Sequence, residues 1–135
     1  MANNVRLLLQ TKIYDTIRND ADISAVVGTR VYDNVPTNPT YPFVTIGDIG
    51  SVDFGSHTHS GFECTAIVHV WARVQGRKTV QQVMNDIYNV LHEVDLGITG
   101  FATLSCRESA SRVLVEEDNE THHGISEYRI LLGGN

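Results

Sequence analysis

Apolar residues near the start of the chain recur every three or four positions, at Val5, Leu8, Leu9, Ile13 and Ile17. This spacing places them on one face of a helix, which we predict over about residues 4–19. A further helical turn is expected at residues 22–27. Gly28 should end it, because glycine readily adopts the left-handed conformation that follows many helices.

A second amphipathic helix is predicted after residue 79. Thr79 and Gln82 have the spacing of a capping box, in which each side chain binds a free backbone N–H at the start of a helix. An apolar stripe follows, formed by Val80, Val83, Met84, Ile87, Val90, Leu91 and Val94. The helix is expected to end before Gly97.

Residues 62–74 alternate between two kinds of side chain, which predicts a long strand. One face carries Phe62, Cys64, Ala66, Val68, Val70 and Ala72, and the other carries Glu63, Thr65, Ile67, His69, Trp71 and Arg73. The first face should pack in the core. Shorter strands are predicted at residues 30–33, 43–50, 101–108, 111–118 and 124–132.

The segments between these strands have the composition of loops. Residues 35–42 hold all three prolines, which cannot donate to a strand ladder, so an extended surface loop is predicted. Residues 51–61 are polar and should form a mobile loop that becomes ordered on assembly. The acidic residues 116–120 should form a turn between the last two strands.

The order of elements predicts one α+β domain over residues 1–135, with a mainly antiparallel β-sheet packed against two amphipathic helices. The chain has 16 acidic and 10 basic residues and a net charge of -6. A protein that binds nucleic acid through phosphate contacts needs clustered basic residues, so such binding is not expected. No apolar run approaches the roughly 20 residues that span a membrane, and no signal peptide is evident. We therefore expect a cytosolic product.

Two cysteines and four loop histidines are the candidates for special chemistry. Cys64 and Cys106 lie on predicted strands and are interpreted as small buried apolar residues without a disulfide. Four imidazoles could bind zinc if the fold brought them together, but their spacing matches no recognised zinc signature. We predict neither metal nor cofactor, and no catalytic residues. A small metal-dependent hydrolase remains the alternative from another class, and its candidate ligands are His57, His59, His122 and His123.

Several segments, taken in order, resemble the tail terminator or tail-completion proteins of long-tailed phages and phage-like gene transfer agents. Three of these segments come after the first helix: RVYDNVP at 30–36, YPFVTIG at 41–47 and CTAIVHVWAR at 64–73. The fourth, THHG at 121–124, comes after the second helix. The resemblance implies a structural protein without catalytic residues. It implies a homo-hexameric ring that caps the head-proximal end of the tail tube and stops its polymerisation.

The same resemblance implies the partners. The tail tube protein would lie on one side of the ring and a head-tail connector or stopper protein on the other. DNA would pass through the ring without specific binding, and assembly would take place in the host cytoplasm. A head-tail connector, or neck protein, is the alternative within the class of assembly proteins, because such proteins are also small α+β ring formers.

Two groups of residues are candidates for contacts in such a particle. Trp71 and Arg73 lie on the outward register of the long strand and, with His57 and His59 in the polar loop, are predicted interface residues. Alternatively, Trp71 lies beneath a helix in the core. The acidic turn either is a solvated hairpin tip or faces the lumen of the ring, where its charge would be multiplied around the axis. Its acidic residues are Glu116, Glu117, Asp118 and Glu120.

Overall fold

A computed structural model of the chain describes residues 5–55, 61–73 and 76–134. Three helices and five strands make up these segments. The elements are α1 (Val5–Arg18), α2 (Ala21–Val27), β1 (Val31–Tyr32), β2 (Phe43–Asp53), β3 (Gly61–Ala72), α3 (Gly76–Leu91), β4 (Phe101–Val115) and β5 (His122–Gly134).

The strands form one sheet in the order β1-β2-β3-β5-β4. Only β1 and β2 run parallel, and every other neighbouring pair is antiparallel. The helices pack on one face of the sheet and bury the alternate residues of its central strands. This architecture confirms the predicted α+β fold, with α2 as a short third helix.

Local sequence explains the helical region before the sheet. Four residues of the predicted apolar stripe of α1 are at most 4% exposed, and the fifth, Leu8, is partly buried against the core. Asp20 caps α2, because its carboxylate accepts a hydrogen bond of 3.0 Å from the backbone N–H of Ile23. Gly28 ends α2 with a φ of 62° and a ψ of -129°. Its positive φ agrees with the prediction, although the ψ lies outside the left-handed helical region.

The alternation predicted for β3 is confirmed. Its even-numbered side chains from Cys64 to Ala72 face the helices and are at most 1% exposed. Cys106 of β4 is also buried, and both cysteines are free thiols, as predicted. Burial raises the pKa of Cys106 to about 11 and also raises the pKa of Cys64. Both thiols are therefore poorly reactive in the folded protein.

Several predicted boundaries are wrong. The helix α3 begins at Gly76 and ends at Leu91, so Thr79 lies within its first turn and is not the N-cap. One strand of 15 residues, β4, replaces the two strands predicted between 101 and 118. The predicted loop at 51–61 is shorter than expected, because β2 continues to Asp53 and β3 begins at Gly61.

The proline-rich segment contains no helix or strand, as predicted, and the peptide bond between Tyr41 and Pro42 is cis. Arg30 holds the end of this segment close to β1, since its Nε donates a hydrogen bond of 2.9 Å to the carbonyl oxygen of Pro42. Among the helices of the described residues, none is both long enough and apolar enough to span a bilayer.

Candidate functional site

The face of the sheet opposite the helices carries a cluster of aromatic rings near one end of β3. Trp71 lies on this open face, which confirms its predicted outward register and excludes a position beneath a helix. Its neighbours on this face belong to three strands: Phe43 and Thr45 to β2, His69 to β3 itself, and His123 to β5. Antiparallel pairing places these side chains on one face.

Trp71 is held by stacking and by a hydrogen bond. Its ring lies on the imidazole of His123 with a centroid separation of 3.7 Å and an interplanar angle of 12°. Its Nε1 donates to Thr45 Oγ1 over 3.2 Å. The ring of Phe43, on β2, also stacks with the indole, at a centroid separation of 6.2 Å. These contacts fix the indole while leaving part of it accessible to a partner.

Two histidines and a glutamate form a row beside the indole. His123 Nδ1 lies 2.7 Å from Glu116 Oε2, and His123 Nε2 lies 2.7 Å from His69 Nδ1. When neutral His123 donates from Nδ1 to the carboxylate, its Nε2 is an acceptor for the Nδ1–H of His69. His69 Nε2 then carries no proton and lies against Gly47, where an added Cβ would be only 2.6 Å away.

This row gives residue 69 an unusual protonation equilibrium. Burial lowers the pKa of His69, His123 lowers it further, and the carboxylate of Asp48 partly opposes both effects. Because burial and the neighbouring His123 both disfavour the charged form, the native structure favours neutral His69.

We expect acid to destabilise the protein through this row. The unfolded chain binds a proton at residue 69 near pH 6.5, whereas the native state binds it only at lower pH. The free energy of unfolding should therefore fall as the pH drops from about 7.5 to about 5.5. His69→Gln should reduce this pH dependence, because glutamine can donate to His123 without titrating. Urea unfolding at several pH values measures the slope, and equal slopes for both proteins would contradict the assignment.

The acidic turn lies next to the aromatic cluster. Asp118 organises it: Oδ1 accepts backbone hydrogen bonds from Glu120 and Thr121, and Oδ2 accepts the Thr121 hydroxyl over 2.6 Å. These bonds, with a smaller effect of Arg73, lower the pKa of Asp118 to about 2. Asn119 completes the turn with a φ of 59°. The turn is thus a defined structure in which Asp118 keeps its charge in mild acid.

Arg73 links the turn to the aromatic cluster. Its Nε donates to Thr121 Oγ1 over 3.1 Å, and its guanidinium lies 3.8 Å from the Asp118 carboxylate. The same guanidinium lies over the ring of Tyr41 at 4.3 Å, in a cation–π contact. The outward residues of β3 and the acidic turn, which are far apart in the sequence, therefore meet at one end of the sheet. We refer to Tyr41, Phe43, His69, Trp71, Arg73, Glu116, Asp118 and His123 as the open-face cluster.

The four predicted acidic residues have different roles. Glu116 is bound to His123, and Asp118 is bound within the turn and to Arg73. Glu117 and Glu120 are exposed to solvent. The predicted interface residues Trp71 and Arg73 lie in the open-face cluster, while His57 and His59 fall outside the described residues.

The histidine pair of the hydrolase alternative is placed differently from the prediction. His122 and His123 begin β5 and do not lie in a loop. Consecutive strand residues point to opposite faces of a sheet, so the two rings cannot close on one ion. In the described ranges, no group of three or more His, Cys, Asp or Glu side chains could hold a metal.

A cleft of about 470 Å³ lies between the proline-rich segment and the cluster. Its walls are formed by Asp33, Val35, Pro39, Tyr41, Phe43, Thr45, Ile46, His69 and Trp71. Aromatic and arginine side chains are enriched at the centres of protein interfaces. Sequence reasoning missed Tyr41, Phe43 and His123 as parts of this surface, although the alternation in the two flanking strands was a usable signal for the last two.

Comparisons with known proteins identify one family by sequence and one similar fold. The chain matches the family described as "Tail completion protein gp17" over residues 11–133. It is 28% identical over 95 residues to the tail completion protein gp17 of Bacillus phage SPP1, which covers 70% of each chain. Its fold is similar to that of a chain in the virion of a native gene transfer agent particle, with a TM-score of 0.88 and 23% identity. That superposition covers 98% of this chain and 100% of the other.

Proposed function

This chain belongs to the Tail completion protein gp17 family, and on that basis we propose that it caps the head-proximal end of a tail tube as a homo-hexameric ring. Membership makes it a tail completion protein, a structural part of a phage or phage-like particle. The proposal adds that the ring stops tube polymerisation and presents the surface that joins tail to head. The family match across nearly the whole domain carries this proposal.

We place the tail tube protein on one side of the ring and a head-tail connector or stopper protein on the other. DNA passes through the opening without specific binding. The net charge of -6 supports this, because a wall that attracted phosphates would hold the DNA at many points. Glu117 and Glu120 are the side chains of the acidic turn that we assign to the lumen, since Glu116 and Asp118 are engaged in internal contacts.

We assign the contact with a neighbouring protein to the open-face cluster. Trp71 and Arg73 supply the residue types that dominate interface energetics, and the adjacent cleft offers a recess for a partner side chain. The loop that bears His57 and His59 follows β2 and precedes β3 at the strand ends farthest from Trp71, so we assign it to a separate contact in the particle. Its protection from proteolysis should increase in the particle.

Deleting the gene should yield tails of irregular, excessive length that fail to join heads, because nothing then ends tube growth. Electron microscopy of the lysate measures tail length directly. Tails of normal length that remain unattached would reject the terminator role and favour a head-tail connector. The gene supplied on a plasmid should restore both normal length and joining.

The same plasmid complementation tests the assignment of Glu117 and Glu120 to the lumen separately from the capping role. A plasmid carrying Glu117→Lys and Glu120→Lys should restore tail length and joining, because neither side chain holds the turn together. It should nevertheless slow DNA delivery into cells. Delivery at the normal rate would show that the acidic turn faces away from the DNA.

A further inference from the structure

The sheet has two outer edges that are only partly covered within the described residues. At one edge, β1 pairs with β2 only at Val44 and Thr45, which leaves the rest of β2 open. At the other edge, β4 pairs with β5 alone. Open edges present unpaired backbone N–H and C=O groups, which readily pair with another strand.

Part of the β4 edge is already occupied by the residues that follow α3. The backbone N–H of Glu93 donates to the carbonyl oxygen of Cys106 over 2.6 Å. The backbone N–H of Glu108 donates to His92 Nδ1 over 3.1 Å. The covered part thus ends at Glu108, and the open part of β4 runs from residue 109 to residue 115.

The open part of β4 has features of a strand-binding site. Residues 109–112 are exposed at four successive positions, so neither face of the strand is covered there. A groove of about 390 Å³ lies between this stretch and α3. It is lined by Gln81, Met84, Asn85, Tyr88, Glu108, Ser111, Arg112 and Val113. An open strand beside a groove suits strand addition, in which backbone hydrogen bonds give affinity and the groove accepts side chains.

We propose that this site binds residues 49–53 of β2 from a second copy of the chain, so that the sheet continues from one subunit to the next. The proposal rests on the ring of the proposed function. It uses two different edges of one sheet, which gives the head-to-tail contact that a closed ring requires.

Strand direction and regularity support this pairing. The antiparallel steps from β2 through β3 and β5 to β4 make β2 and β4 run in opposite directions. Placing β2 of one copy beside β4 of the next therefore continues the antiparallel order. The bulge in β2 lies between Ile46 and Ile49, and the last bulge in β4 lies between Glu108 and Ala110. Beyond each bulge the strand is regular and can form a ladder.

Charge and exposure identify β2 as the matching partner. Residues 49–53 of β2 carry Asp53 and no basic residue, whereas the open part of β4 carries Arg112 and no acidic residue. Val52, within the β2 stretch, is 65% exposed in the isolated chain. Opposite charges favour the correct encounter, and burial of Val52 adds apolar contact.

Cross-linking in purified tails tests the pairing. Val52→Cys and Ala110→Cys in one chain, whose side chains both lie on the open face, should give a ladder of products larger than a dimer when treated with a short bismaleimide. Neither single variant should cross-link, and the buried native cysteines serve as an internal check on unfolding. Ala25→Cys with Ala110→Cys is the matched control, because Ala25 is exposed on α2, which packs against α3 and α1.

The outcomes of this experiment distinguish a failure of the proposed strand pairing from a failure of the proposed function. Dimers from Ala110→Cys alone would overturn the proposal in favour of pairing between two β4 strands. The absence of products from the double variant, in tails whose ends carry the protein, would reject this pairing and leave the capping role intact. Absence of the protein from tail ends would reject the proposed function, and with it the ring on which the pairing rests.

Discussion

Replacing Gly124 with alanine should lower the free energy of unfolding by about 1–3 kcal/mol, the usual cost of overpacking a core. Gly124 lies in β5 directly beneath α3. An added Cβ would lie 2.4 Å from Met84 Sδ and 2.5 Å from Val80 Cγ1. Methionine can move aside, but valine is stiff at χ1, so the helix must shift away from the sheet.

Gly50→Ala is the matched control in another strand. An added Cβ at Gly50 would meet Thr65 Oγ1 at 3.4 Å, an ordinary contact. This variant should be neutral or more stable by about 0.4–1 kcal/mol, because alanine reduces the entropy of the unfolded chain. Urea titration of both variants measures the difference. Equal stability of the two variants would show that α3 does not press on β5 at this position.

Under the proposed function, Trp71→Ala should weaken the action of the folded protein at tail ends by about 30-fold or more, as expected for an interface residue worth at least 2 kcal/mol. The measurement is the concentration of purified protein that restores head joining in a lysate lacking the gene. The variant should also lose some stability, since the stack on His123 disappears. Joining must therefore be measured at a temperature at which circular dichroism shows the variant folded.

Leu104→Ala is the control for this measurement, because Leu104 is 61% exposed and lies outside the open-face cluster. Its activity in joining should remain within a few-fold of the parent. A folded Trp71→Ala protein that restores joining at the parent concentration would mean that the indole serves only the internal packing of the cluster.

The sequence predicts those parts of the fold that depend on local periodicity. The stripe on α1 and the alternation in β3 are each complete within one element, so their buried faces follow from residue spacing alone. The continuity of β4 could not be predicted in this way. Residues 109–112 are exposed on both faces and show no alternation, and the strand continues through them because β5 pairs alongside.

The candidate site was predictable only in part, for a similar reason. The alternation of side chains along β3 predicts that Trp71 lies on the outer face, and the structure confirms this. The stack between Trp71 and His123 depends on the register between β3 and β5, and one sequence does not specify that register. The contact of Arg73 with Asp118 follows from the same pairing. The sequence thus identifies Trp71, Arg73 and the acidic residues one by one. The pairing of β3 with β5, which are distant in the sequence, brings them together as a cluster.

The position of β5 between β3 and β4 affects how the protein is made. As the nascent chain emerges during synthesis, β3 and β4 appear first and must wait for the later strand that joins them. Until residues 122–134 are available, both strands expose long edges, and the cluster lacks His123. A prematurely ended chain therefore exposes these edges to proteases and chaperones, and only a subunit with β5 in place carries the complete open-face cluster.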